Sequence, residues 1–261
     1  MQKLFPNTIL LAIGLLISGL VLATPVIFLT GNQYFSLSDD LKNTLLYFVF
    51  SVLVLGIAYL MNRKRKTELT FNFKVSFVLP VTLLIACVCL FQIGLNVPAG
   101  KLLSMNFGSS GSTVKNPFDQ LVLVLGSLIL GPVFEEIIYR GIILKGLLAS
   151  NSPKLAIIAS SIIFAVSHGK PIQILGALIL GLFLGWIYYK TKSLGLTILL
   201  HFTANLSGHL AAYINYKYAT LAGVKTFLIY GNFTYYIITV SWVLLGICIY
   251  YLYQKIKQVN L

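Results

Sequence analysis

The chain has 261 residues, of which 58% are hydrophobic and 10% charged, with a formal net charge of +13 and a mean hydropathy of +0.90. Soluble domains are about one quarter charged, so this composition excludes a large soluble domain and places the chain among polytopic membrane proteins. Apolar runs of about 20 residues recur along it, each long enough to cross roughly 30 Å of hydrocarbon.

In chain order, hydropathy and punctuation place spans at 8–30, 42–62, 74–96, 119–149, 153–168, 171–189, 193–213 and 233–254. The expected fold is an all-α transmembrane bundle of about eight spans enclosing a polar cavity. The first run is too long for a signal peptide and lacks a small-residue cleavage site, so it reads as an uncleaved helix. Segment 97–118, with Pro98, Gly100, Gly108 and Gly111, is the longest polar connection and reads as a surface loop. The fourth span is too long to be straight, and Pro132 supplies a reason for it to bend. The fifth is short, ends at His168-Gly169-Lys170-Pro171, and joins the sixth by a tight turn. Residues 1–115 form an N-terminal unit of spans and loop, 116–213 a helical core that carries the chemistry, and 214–261 a C-terminal loop and span.

Basic residues set the orientation. With the N-terminus inside, twelve fall on inner segments (Lys3, Arg63, Lys64, Arg65, Lys66, Lys74, Lys145, Lys154, Lys190, Lys192, Lys255, Lys257) and six on outer ones (Lys42, Lys101, Lys115, Lys170, Lys217, Lys225). Both termini are therefore expected inside. The compact chain fits a bacterial cytoplasmic membrane. The positive charge reflects topology and attraction to anionic headgroups, not nucleic-acid binding. Cys87, Cys89 and Cys248 fall within apolar runs without a metal-type spacing, so they read as packing residues.

The second half carries the chemistry. Only six acidic residues occur in the chain, and two of them, Glu135 and Glu136, are adjacent within an apolar stretch. A carboxylate at membrane depth costs a few kcal/mol by insertion scales, so it needs a partner or a task. Glu136 and Arg140 are four apart and share a helix face, where they can pair. Glu135 is turned about 100° away and is left free to accept a proton. His201 and Asn205 also share one face, and such a pair can ligate a metal, orient water or donate to an oxyanion. His168 ends another span, and His209 continues the His201 face near the outer end. Together these groups can supply a base, its partners and oxyanion donors for amide hydrolysis. No serine or cysteine sits in a recognised nucleophile motif, so water is the expected nucleophile.

Three motifs in order, Glu135-Glu136-x-x-x-Arg140, Phe164-x-x-x-His168 and His201-x-x-x-Asn205, resemble the signature of the CPBP, or Abi, intramembrane proteases. That family includes type II CAAX prenyl endopeptidases and bacteriocin-processing and self-immunity proteins, and the resemblance covers about residues 118–210. It implies that Glu135 activates the hydrolytic water with help from His168, while His201 and Asn205 stabilise the tetrahedral intermediate. Glu136 and Arg140 would support and position, and Phe164 would shape the cavity wall. The family is often described as metalloproteases, and Glu135, His168 and His201 would be the ligands if a divalent metal such as zinc bound. A glutamate–histidine pair can also activate water alone, and asparagine is a poor zinc ligand; the metal-free route is preferred. The implied substrate is a membrane-associated peptide or protein, in peptide maturation or bacteriocin self-immunity. Two other classes stay open: a non-catalytic membrane adaptor or immunity protein, and a proton-coupled transporter, which would call for internal symmetry that the chain lacks.

Overall fold

The structure, a computed structural model, describes residues 3–31, 38–77, 79–107, 117–169, 171–222 and 230–259. Eight long helices run in order: α1 (Ile9–Gly31), α2 (Asp39–Lys64), α3 (81–107), α4 (117–148), α5 (Pro153–Val166), α6 (Pro171–Thr191), α7 (Leu194–Ala222) and α8 (Thr234–Val259). Among the described residues no strand occurs. Six of the helices, α1–α4, α6 and α8, are long and apolar enough to cross a membrane. Helix α5 is shorter, and the apolar run of α7 is interrupted by His201, Asn205 and His209. The protein is an integral membrane protein, and its exposed apolar side chains, among them Leu10, Phe28 and Tyr236, face where lipid would be.

Several expected boundaries move, among them the end of the seventh span, expected at 213 and found at Ala222. The third span, placed at 74–96, begins as a helix only at Val81, after Pro80, and continues to Phe107. Part of segment 97–118 is therefore helix, not loop; residues 108–116 lie outside the described residues. Residues ahead of Val81 form a strap instead. Within it, the Asn72 carbonyl accepts from Leu194 N at 2.8 Å and the Lys74 carbonyl from Ser193 Oγ at 2.6 Å. The Thr70 carbonyl accepts from Lys145 Nζ at 2.6 Å. These bonds tie the strap to the end of α4 and the start of α7. Gly195 is required there, since any Cβ would run into the carbonyl of Phe73. The fifth span ends at Val166, not 168, so His168 sits in the turn that Gly169 completes with φ +68°.

Side-chain caps mark two of the other starts. Ser38 accepts from Leu41 N at the head of α2. Ser152 does the same for Leu155 N at the head of α5, with Pro153 in the first turn, where its missing N–H costs nothing. Two buried apolar clusters fill the bundle. One joins Leu15, Val54, Ile138, Ile142, Phe164 and Leu194; the other joins Leu84, Val88, Leu184, Leu196, Leu200 and Leu252. Helix α7 contributes to both, which sets the height of its polar residues against α4.

Helix α4 is continuous but irregular. A widened π-type turn at Gly126–Leu130 precedes Pro132, and another runs over Ile137–Leu144. The first has a direct cause. Gly131 N–H donates to the Gly126 carbonyl, five residues back, and in that register the Ser127 carbonyl would await the N–H of residue 132, which is proline and has none. The bend expected from Pro132 is thus absorbed as a widened turn, leaving one carbonyl to be satisfied from elsewhere.

Candidate active site

The glutamates divide as their helical positions require. Glu136 is fully buried, and its Oε1 accepts from Arg140 Nη1 at 2.7 Å. The same oxygen lies 2.8 Å from His201 Nδ1. Glu136 Oε2 is buried and finds no hydrogen-bond partner among the described residues. Arg140 also donates Nη2 to the Gly181 carbonyl at 3.3 Å and stacks its guanidinium over the Phe164 ring at 4.6 Å. Phe164 in turn meets the rings of Tyr139, His168 and His201 edge-on, at 5.0, 4.7 and 5.9 Å between centroids. This is a dry, fully packed locus in which each charge has an opposite or polarisable neighbour, the condition under which ionised groups survive away from water.

Glu135 faces the other way. Its side chain keeps 20% of its surface exposed, against 0% for Glu136. Glu135 Oε2 stands 3.6 Å from His201 Nε2, too far for a direct hydrogen bond. Tyr47 of α2 donates its hydroxyl to Glu135 Oε1 at 3.3 Å. His201 therefore lies between the two carboxylates, one ring nitrogen for each. With Nδ1 donating to Glu136, Nε2 is the nitrogen turned toward Glu135.

Glu135 opens onto two cavities. The larger, about 800 Å³, is walled by apolar side chains of α1, α2 and α5, including Ile17, Phe50 and Ile163, and takes in Tyr47, Tyr139 and His168. The smaller, about 470 Å³, runs between α2 and the first half of α4 and takes in Ser127 and Phe134. Asn43, Tyr47, Glu135 and Gln173 line both. His168 shares the larger cavity with Glu135, with its Nδ1 engaged by the Phe164 carbonyl at 2.9 Å.

Asn205 fills the gap that Pro132 creates. Its Nδ2 donates to the Ser127 carbonyl at 2.8 Å, and His209 Nε2 meets Ser127 Oγ at 2.9 Å. The residues singled out in the sequence thus form two groups: Glu135, Glu136, Arg140, Phe164, His168 and His201 around one point, and Asn205 with His209 at the widened turn of α4. Tyr47 was missed, as was the contribution of α1 and α2 to the cavity wall.

Residues 117–207 match the family model for Rce1-like proteins, described as type II CAAX prenyl endopeptidase Rce1-like. This segment of the helical core is similar to the Rce1-like family. No curated protein and no solved structure matches the chain. The Rce1-like segment runs from the start of α4 into α7 and holds every motif residue described above, whereas α1, α2 and α3 lie outside it. The model's description names a CAAX-type prenyl endopeptidase, and it matches this segment alone.

The metal that the family resemblance implies can be tested against the donors. Among the described residues no three His, Cys, Asp or Glu side chains converge as a metal site would require. His168 Nδ1 is held by a backbone carbonyl, and His201 Nδ1 by Glu136. In each ring Nε2 is the nitrogen left over, and that of His201 stands 3.6 Å from Glu135 Oε2. A catalytic zinc takes three protein ligands and an open position; these residues do not fit it.

Proposed function

We propose that this chain is an intramembrane endopeptidase in which Glu135 is the general base that activates water. The observation that carries the reading is the 3.6 Å separation of Glu135 Oε2 and His201 Nε2, at the edge of a cavity large enough for an apolar chain. Glu135 takes a proton from water as its oxygen attacks the scissile carbonyl carbon. Protonated His201, its Nδ1–H held by Glu136, donates Nε2–H to the oxygen that becomes negative. Glu135 then returns the proton to the departing nitrogen, the C–N bond breaks, and a carboxylic acid and an amine leave. His168, in the same cavity, assists at the water or the leaving group. Arg140 balances the charge of Glu136. Asn205, with its amide on Ser127, holds α7 against α4, and Phe164 keeps the two histidine rings in place.

The substrate this supports is a peptide with an apolar attachment or segment lying along the cavity wall, in a maturation or self-immunity setting. No step is routed through a metal. Protein reconstituted in vesicles would be given an internally quenched peptide with a farnesylated cysteine fourth from its C-terminus. Wild type is expected to cleave it, Glu135→Gln to be inert, and chelation to leave the rate unchanged. Chelator-sensitive cleavage restored by zinc would overturn the metal-free step; equal cleavage by Glu135→Gln would overturn the base. Peptides released by cells expressing wild type and Glu135→Ala would then identify the natural substrate.

A further inference from the structure

We propose that Tyr47 of α2 is a positioning residue for this site, supplied from outside the Rce1-like segment. This rests on the reading of Glu135 as the base. The terminal torsion of a glutamate side chain is broad, so nothing in Glu135 itself fixes the plane of its carboxylate. Two other helices do. Oε1 faces the Tyr47 hydroxyl at 3.3 Å, and Oε2 faces His201 Nε2 at 3.6 Å. The carboxylate is hydrogen-bonded from α2 on one side and faces α7 on the other across a gap too long for a direct bond.

The second contact of the phenol makes the first a reference to the helix frame. Tyr47 OH also lies 3.4 Å from the Gly131 carbonyl, one turn before Glu135 on the same helix. Its proton is shared between the backbone of α4 and the side chain it must orient. The hydroxyl is thereby indexed to α4, and Glu135 to the hydroxyl. Both bonds are long for O–H···O, as catalytic hydrogen bonds often are before substrate closes the site. Tyr47 and Glu135 line both cavities, so the phenol stands beside any peptide that reaches the base. A residue that merely packed would need its ring and not its hydroxyl.

Tyr47→Phe separates those roles. On the farnesylated quenched peptide, wild type, Tyr47→Phe and Glu135→Gln are compared for kcat, KM and thermal unfolding in detergent. Loss of a hydrogen bond to a charged group is expected to lower kcat roughly ten- to a hundredfold. KM should stay within about twofold, because the apolar wall is unchanged, and the melting temperature should hold. If Tyr47→Phe keeps the wild-type kcat while Glu135→Gln is inert, Tyr47 has no positioning role and the base assignment stands. If Glu135→Gln turns over like wild type, the base assignment fails and this inference fails with it. A lower melting temperature with raised KM and unchanged kcat makes Tyr47 a packing residue and overturns the proposal.

Discussion

Glu135 and Glu136 are consecutive residues of one helix, and they live in different solvents. On the Glu136 face every group is packed: Arg140, His201 and Phe164 close around a carboxylate with no exposure. On the Glu135 face a carboxylate with 20% of its side chain exposed looks into two cavities. A rotation of about 100° around the helix axis separates a structural anion from a chemical one. His201 is the group both faces share. The dry face fixes which nitrogen it turns outward, and the open face uses that nitrogen.

The comparison is broken most severely at Arg140. Arg140→Leu leaves Glu136 charged and buried with its guanidinium gone, a loss of about 3–5 kcal/mol when one partner of a buried pair is removed. Little folded, monodisperse protein should survive extraction and size-exclusion chromatography. Glu135→Gln should do the reverse. Its melting temperature should stay near wild type, while cleavage falls about 10²–10⁴-fold, the worth of a general base. If both variants lose stability equally, the two faces are not distinct.

The smallest effect sharpens the comparison at a third point. Asn205→Ala removes the donor to the Ser127 carbonyl and should cost about 1–3 kcal/mol of stability, as an unsatisfied buried acceptor does. Pro132→Ala restores an N–H that can reach that carbonyl along the helix. In the double variant the Asn205 penalty should shrink, giving a coupling of about 1 kcal/mol in a double-mutant cycle of thermal unfolding. Additive losses would mean that Asn205 and the proline break are unrelated.

Much of this was legible. Helix number, most boundaries and the pairing of Glu136 with Arg140 follow from apolar run length and the four-residue spacing. The start of the third helix did not, because Phe73, Val75 and Phe77 read as membrane while the backbone of the same segment is committed to Lys145, Ser193 and Leu194. Tyr47 was invisible for a different reason. A tyrosine in an apolar run carries no periodic signal, and its partner Glu135 lies 88 residues further on. Asn205 could have been placed. A proline inside a helix strands an acceptor, and a facing helix with an amide at the same height is where a donor should be sought.

The widened turn before Pro132 has a consequence for assembly. Leucine slides along leucine in lipid with little preference for height, so apolar packing alone leaves neighbouring helices free to settle a turn too high or too low. Ser127 removes that freedom, because its carbonyl takes Asn205 and its hydroxyl takes His209, one helical turn apart on α7. A slip of α7 by one turn would part both of these pairs and carry His201 a turn away from Glu136. The interruption in α4 thus works as a vernier mark, and the same alignment that satisfies it brings His201 level with the two glutamates.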